Sequence, residues 1–318
     1  MSIESPCHSY REIQHVPTVS VIMNCFNCVT FLRDAIDSVY RQTFTDWEII
    51  FWDNASTDGS CDIVRGYDSR LRYFRGNEHV PLGRARNMAL RQACGRYIAF
   101  LDCDDLWYPE KLEKQLALFS RRNDIKFVYS MIYMRFEKTS RKKIMKISHP
   151  YGDFFSYSLV NYKVPMLTSM MTRKELMELD EYFDERLSLA EEFELFMRFF
   201  YRYKVACVCE PLGEYRVHQT SSSNVKIDQW VDELTYILRK FERIIPDFNE
   251  RYHRQIRVYS AKINYNRALC EMRKGDVIKA RHYLRDVALV NYKLFIWYLI
   301  SLLPKQFWNF IHRYRVVS

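Results

Sequence analysis

Gly95-Arg96-Tyr97-Ile98-Ala99-Phe100-Leu101-Asp102-Cys103-Asp104-Asp105 is the stretch that decides the fold. Arg96–Leu101 is an apolar run of strand length that ends on Asp102, Asp104 and Asp105. In extended chain, residues two apart point to the same side. The Asp102 and Asp104 carboxylates can therefore share a hard cation such as Mg2+ or Mn2+, with a diphosphate completing its coordination. The plain alternative is an acid-rich helix entry, with Asp104 or Asp105 capping the helix after Pro109.

Upstream, two kinds of segment alternate. Thr18–Met23 reads as a strand, and Thr30–Tyr40 as a helix with Phe31, Leu32, Ala35, Ile36 and Val39 on one stripe. Glu48–Trp52 is a second strand running into the turn Asp53–Ser60, and a helix is expected from there to about Tyr67. Leu71–Phe74 is a strand and Leu82–Ala93 a helix. This rhythm predicts an α/β fold with a mostly parallel central sheet covered on both faces. Ligands in such sheets sit beyond the carboxyl ends of the strands. Those ends read Asn24-Cys25-Phe26-Asn27, Asp53-Asn54 and Asp102-Cys103-Asp104-Asp105. Asp53 and Asn54 could accept from a pyrimidine N3–H, or simply form a turn. Phe26 could stack on a base or belong to the core.

Downstream, Leu112, Leu116 and Phe119 mark a helix after Pro109, and strands are expected near Lys126–Phe136, Met166–Met171 and Val205–Val208. Lys138–Lys146 reads as an exposed charged segment, Lys174–Leu179 as a short helix, and Glu191–Tyr203 as a stronger one with Phe193, Phe196, Met197 and Phe200 inward. Beyond about residue 225 the chain is helical, aromatic and basic. Ala268–Ala288 reads as a helical hairpin turning at Gly275-Asp276, without the second copy a solenoid needs.

The 318 residues are 48% hydrophobic and 27% charged, which excludes disordered, collagen-like and coiled-coil chains. The net charge of +9 lies wholly in residues 226–318, which hold 18 Lys+Arg against 9 Asp+Glu. Such a tail suits an anionic surface. Its stretch 292–315, with Trp297, Trp308, Lys305 and Arg313, is expected either to touch a membrane peripherally or to form the tail's own core. The longest uncharged apolar run, Leu294–Pro304, is about half of a membrane span. Met1–Pro17 has no apolar signal region. A cytoplasmic protein, peripheral at the inner face of the membrane, is therefore expected. The nine cysteines include Cys25-x-x-Cys28 but no second ligand pair, so buried reduced thiols are expected rather than a zinc site.

Five segments taken in order resemble the family 2 glycosyltransferases: Val19–Asn27, Arg41–Glu48, Asp53–Ser60, Gly83–Asn87 and Gly95–Asp105. The likeness extends over about residues 17–220. It implies a GT-A fold, a Rossmann-like nucleotide-sugar-binding domain, at 17–225, after an extension at 1–16 and before an α-helical region at 226–318. It also implies a nucleotide-sugar donor, most often UDP-linked, and a divalent metal, Mn2+ or Mg2+. Asp53, Asn54 and Phe26 would hold the base, with Asn24 and Asn27 lining the pocket. Asp102 would lie near the ribose and Asp104 would bind the metal. The second acid of the turn is Asn54 here, which leaves the nucleotide less defined.

Ala190-Glu191-Glu192-Phe193-Glu194-Leu195 resembles the family's catalytic-base segment, with Glu192 at the base position and Glu191 as its rival. Without the resemblance, these acids read as charge at a helix N-terminus. Tyr215-Arg216-Val217-His218 resembles a further segment, which makes His218 a metal or diphosphate ligand and lets Arg216 neutralise phosphate. Arg84 and Arg86 read either as solvated residues or as phosphate contacts. The implied reaction is transfer, with inversion, to a hydroxyl of a cell-envelope glycan or lipid-linked saccharide. Two other classes compete. A polyanion or RNA binder would use the basic tail, but no RNA-binding signature appears and no nucleic acid is expected. A sugar nucleotidyltransferase would need a Gly-rich basic loop after the first strand, which Asn24–Val29 is not.

Overall fold

The computed structural model describes residues 15–146, 153–218, 227–288 and 299. The chain divides into two compact units, Met1–Phe155 with Tyr162–Ser221, and Ser156–Asn161 with Ser222–Ser318.

The first unit begins β1 (Val19–Cys25), α1 (Val29–Tyr40), β2 (Trp47–Asp53), α2 (Ser60–Val64), β3 (Leu71–Arg75), α3 (Leu82–Leu90) and β4 (Tyr97–Phe100). It continues with β5 (Leu106–Trp107), α4 (Lys111–Arg121), β6 (Ile125–Phe136) and β7 (Arg141–Met145). Helix α5 (Phe154–Asn161), which from Ser156 on belongs to the second unit, precedes β8 (Met170–Thr172), α6 (Arg173–Met177), α7 (Glu191–Arg202) and β9 (Lys204–Val217). The sheet has nine strands in the order β3-β2-β1-β4-β8-β6-β9-β5, with β7 paired to β6. The block β3-β2-β1-β4 is parallel, while β8 runs antiparallel to β4 and β6. β1, β2 and β4 are buried almost throughout, because helices cover both faces.

Gly95 fixes how β4 enters this block. Its N–H donates to Ser20 Oγ at 2.8 Å, and a Cβ there would stand 2.5 Å from the Ser20 backbone nitrogen. Ser20 in turn donates to Glu48 Oε1, whose carboxylate also takes the Cys94 N–H and the Arg72 guanidinium. The strand start is thus tied to β1, β2 and β3 together.

Several expected boundaries move. Helix α2 ends at Val64 and α3 at Leu90, earlier than the apolar pattern suggested. Helix α4 starts at Lys111 behind Glu110, so neither Asp104 nor Asp105 caps it. The expected strand at Met166–Met171 splits into a 3-10 turn, Met166–Thr168, and β8. Ser169 causes the break, sending its N–H to Met166 O and its hydroxyl to Pro165 O. Strand β9 runs on past Val208 to Val217. A register slip between Ser130↔Val208 and Met131↔Pro211 absorbs Pro211, which has no N–H to donate. The charged segment Lys138–Lys146 is largely exposed, as expected. Its β7 forms a hairpin with β6, and Lys142 ion-pairs with the buried Glu214. Phe31 leaves the expected core stripe of α1, half-buried, while Leu32, Ala35, Ile36 and Val39 are buried as expected.

The second unit contains α8 (Ile227–Ile244), α9 (Phe248–Arg251), α10 (His253–Lys274) and α11 (Val277–Ala288). The hairpin at 268–288 is α10 and α11. Gly275 closes α10 in the left-handed region at φ 92°, and the Asp276 N–H returns to Glu271 O at 2.9 Å. Ala268, Met272, Ala280 and Leu284 form its core. Among the described residues no helix is long and apolar enough to cross a membrane. The expected membrane-contact stretch 292–315 lies outside the described residues but for Leu299, as do Met1–Gln14 of the expected extension.

Candidate active site

Sheet register brings the three strand ends together. Cys25 of β1 sits opposite Asp53 of β2, and Ile22 opposite Phe100 of β4. Beyond the strands, Asn54 N–H donates to Cys25 O at 2.8 Å and Leu101 N–H to Ile22 O at 3.1 Å. Burial alternates along Asp102-Cys103-Asp104-Asp105, with Cys103 and Asp105 buried and Asp102 and Asp104 half-exposed. The two half-exposed acids lie not in extended chain, as expected, but in a tight turn after β4, closed by the Asp105 N–H donating to Asp102 O at 3.2 Å.

Asp104 Oδ2 lies 3.0 Å from His218 Nε2, which joins the end of β4 to the segment after β9. Burial first, and then the Asp102 charge, push the Asp104 carboxyl upward against the opposing pull of His218. Burial raises Asp105 well above the usual carboxylate range. Asp105 Oδ1 accepts the Arg216 N–H at 3.0 Å, and its Oδ2 has no partner among the described residues. Arg216 is buried, donates to Asp34 Oδ2 at 2.8 Å and lies over the Phe31 ring, and its Nε is unpartnered among the described residues. Phe31, expected in the core, instead packs against His218, with ring centres 5.1 Å apart.

Arg86 is not solvated. It is 4% exposed and donates to Glu191 Oε1 at 2.7 Å and to Asp102 Oδ1 at 3.0 Å. Burial opposes its charge, but the Asp102 and Glu191 carboxylates outweigh burial and raise its pKa. Arg86 thereby ties the head of α7 to the end of β4. Arg84, two residues earlier and so on nearly the opposite face of α3, stays exposed, 3.9 Å from Glu185.

The three glutamates of α7 differ in their surroundings. Glu191 is spent on Arg86, and its second oxygen is buried without a partner among the described residues. Glu194 pairs with Arg198 at 2.6 Å. Glu192 makes no hydrogen bond among the described residues. Burial, with the Glu191 and Asp102 charges adding and Arg86 opposing, pushes its carboxyl up to about 8. Tyr162, which sequence reasoning missed, stands beside Glu192 and Glu191. Burial, reinforced by their charges, raises its phenol well above the usual range.

The base-pocket candidates divide. Asp53 is fully buried and accepts from Arg75 at 2.6 Å, Tyr73 at 2.7 Å and Ser56 N–H at 2.7 Å. The Asn54 amide donates to His79 Nδ1 and Val80 O and accepts the Val80 N–H. Both side chains are satisfied within the protein. Phe26 is 44% exposed, with its ring centre 3.9 Å from that of His79, a residue no motif flagged. Asn27 adopts a left-handed φ of 55° and accepts the Thr57 N–H. Asn24 Nδ2 is a buried donor without a partner among the described residues.

A mixed sheet of this order, with acids gathered at the carboxyl ends of its parallel strands, defines a GT-A glycosyltransferase. Solved structures share the fold. S. aureus TarS 1-349 in complex with UDP-GlcNAc gives a TM-score of 0.61 at 16% identity, over 85% of this chain and 81% of that one. The mannosyltransferase PcManGT from Pyrobaculum calidifontis, in complex with GDP-Man and Mn2+, gives 0.61 at 16% identity, over 95% and 86%. The profile of "Glycosyl transferase family 2" matches residues 20–177. TuaG of Bacillus subtilis (strain 168), a glycosyltransferase assigned to teichuronic acid biosynthesis, is 32% identical over 234 residues, 72% of this chain and 90% of its own. The UDP-Glc:alpha-D-GlcNAc-diphosphoundecaprenol beta-1,3-glucosyltransferase WfgD of Escherichia coli is 32% identical over 157 residues, 49% and 60% of the two chains. The chain belongs to glycosyl transferase family 2.

Proposed function

We propose that the protein transfers a sugar, with inversion, from a UDP-sugar to a hydroxyl of a cell-envelope glycan or lipid-linked saccharide. The observation that carries this reading is Glu192, a carboxylate without a hydrogen bond among the described residues, set beside the bridge Glu191–Arg86–Asp102. Glu192 takes the acceptor's hydroxyl proton. The acceptor oxygen then bonds to the anomeric carbon, whose bond to the diphosphate oxygen breaks with the electron pair leaving on the diphosphate. Glu191 positions Arg86, and through it Asp102, rather than acting as the base.

Asp104 and His218, 3.0 Å apart, would hold a divalent cation; Asp102, whose Oδ1 takes Arg86, is not gathered with them into a three-ligand cluster among the described residues. Asp104 and His218 are oxygen and nitrogen donors, and burial, then the Asp102 charge, hold the Asp104 carboxyl above its ordinary range, which a bound cation would offset. When bound, such an ion offsets charge on the departing diphosphate. The unpartnered Arg216 Nε and Asn24 Nδ2 are donors suited to phosphate and sugar oxygens. Phe26 with His79 forms the stacking face for the base, and Asn27, Asp53 and Asn54 shape the pocket beneath it.

The likeness to TuaG and WfgD supports the acceptor class, and the likeness to WfgD, a UDP-Glc-dependent transferase by name, supports the UDP donor. The expected location is cytoplasmic, peripheral at the inner face of the membrane.

A thermal-shift panel of nucleotide-sugars with and without Mn2+ tests the reading, because a ligand of the native state raises apparent stability. One UDP-sugar should raise Tm in a Mn2+-dependent way, and Asp104→Ala should abolish both the shift and transfer. Full activity in Asp104→Ala, or salt-dependent RNA binding with no donor binding, would overturn it.

A further inference from the structure

Cys25 closes β1, Cys28 borders the N-terminus of α1, and Cys103 follows β4 between Asp102 and Asp104. Their Sγ atoms all lie within 4.8 Å of one another. Cys25 and Cys103 are buried, Cys28 is partly so, and all three are free thiols. In sequence, Cys25-x-x-Cys28 lacks further ligands. The parallel pairing of β1 with β4 supplies the third, because it lays their carboxyl ends side by side.

We propose that Cys25, Cys28 and Cys103 form a site for one thiophilic divalent ion, zinc in the first place, with solvent in the fourth position. A tetrahedral ion with metal–sulfur bonds of about 2.3 Å sets its sulfurs roughly 3.8 Å apart. The three thiols need to close by no more than about 1 Å to reach that geometry. Little hydrogen bonding is lost in doing so. The Cys103 thiol donates to Asn24 O at 3.1 Å and the Cys28 thiol to Phe26 O at 3.4 Å, both weak contacts. Binding replaces the S–H bonds by S–metal bonds and releases the protons to solvent.

The two sites sort ions by hardness. Asp104 and His218 offer oxygen and nitrogen, which suit Mg2+ or Mn2+, whereas a ligand set of three sulfurs selects zinc. A zinc ion here would pin the loop carrying Asn24, Phe26 and Asn27 to the strand end carrying Asp102 and Asp104. The thiol site would thus brace the donor pocket without touching the donor. It stands independently of which sugar is transferred.

The test titrates the full reduced chain, stripped of metal by chelator, with Co2+. The expected result is a thiolate-to-cobalt charge-transfer band with the strong visible bands of a tetrahedral site, saturating at one ion per chain and displaced by zinc. Cys28→Ser should weaken binding by more than about tenfold. Cys209→Ser, an exposed thiol on β9, should leave the spectrum unchanged. X-ray absorption on the zinc-loaded wild type should show three sulfur neighbours, and it stands as the test if Cys28→Ser misfolds. Four results each overturn the proposal: no charge-transfer band, a Cys28→Ser chain that binds equally well, a metal shell of oxygen and nitrogen, or a chain that forms a disulfide among these thiols and still binds no cobalt once reduced.

Discussion

Replacing Glu192 by Gln keeps the shape of the side chain and removes only its ability to take a proton. Its carboxyl moves from 4.5 in the unfolded chain to about 8 in the folded protein, with burial as the main cause. Between those values the folded protein holds a proton that the unfolded chain has lost. The stability this confers is complete below about pH 4.5 and is lost as pH rises through about 8. At ~1.4 kcal/mol per pH unit the bound is about 5 kcal/mol, which partial exposure of the side chain reduces to about 2–3 kcal/mol. Glu192→Gln is neutral at every pH. It should therefore match wild-type stability near pH 4.5 and exceed it at pH 8.5, with Tm higher by roughly 4–8 °C. Transfer should nonetheless fall by about 10²–10⁴-fold, the usual contribution of a general base. Wild-type kcat/KM should climb with unit slope on a log scale and level off above about pH 8, since kcat/KM reports the free enzyme. The assays are initial rates of nucleoside diphosphate release and thermal melts at both pH values. A variant that keeps more than about a tenth of the activity, or a wild-type profile flat across this range, refutes the assignment of Glu192 as base.

Arg86→Met should leave Glu191 buried against Asp102 without a counter-ion, lowering stability by about 3–5 kcal/mol in urea unfolding and abolishing transfer. Arg86→Lys should rescue little, because one ammonium cannot reproduce two divergent guanidinium contacts. Phe26→Ala should raise KM for the donor about tenfold while kcat stays within error, since the ring is 44% exposed and stacking on a base is worth ~1–3 kcal/mol; an unchanged KM would remove Phe26 from the pocket. Gly95→Ala should lower the urea midpoint by the equivalent of about 1–3 kcal/mol, because its Cβ meets the Ser20 backbone nitrogen rather than a flexible side chain.

What the sequence made legible is what neighbouring residues decide between themselves. The apolar run before Asp102 and the turn after Asp53 fixed the parallel block and its acidic ends. What it hid depends on partners far along the chain. Arg86 sits 105 residues from Glu191, and nothing on α3 distinguishes it from exposed Arg84 until the fold places α7 against it. Cys103 meets the Cys25 segment across the β1–β4 pairing, so counting cysteine intervals could not complete the trio. Pro211 masked the length of β9, because the register slip that absorbs it belongs to β6 as much as to β9. The Asn54 amide looked like a base reader, yet His79 and Val80 consume it, and neither lies in a motif.

The glutamates of α7 show how far one residue of helical phase goes toward deciding chemistry. Glu191, Glu192 and Glu194 share one functional group and lie in one helical turn. Adjacent helical positions point about 100° apart, so each meets a different neighbour. Glu191 faces Arg86 at 2.7 Å, an ion pair that holds the guanidinium in place. Glu194 meets Arg198 one turn on and fastens the helix to itself. Glu192 is left between them with burial and two like charges, so its proton affinity moves toward neutrality, where a base can work. The Glu191–Arg86 pair is then what makes Glu192 usable, because Arg86 partly offsets the like charges that raise Glu192. Removing Glu191 alone should therefore lower the pH at which Glu192 loses its proton while also loosening Arg86. A loss of rate in Glu191→Gln accompanied by a downward shift of the kcat/KM profile would separate that positioning role from the base itself.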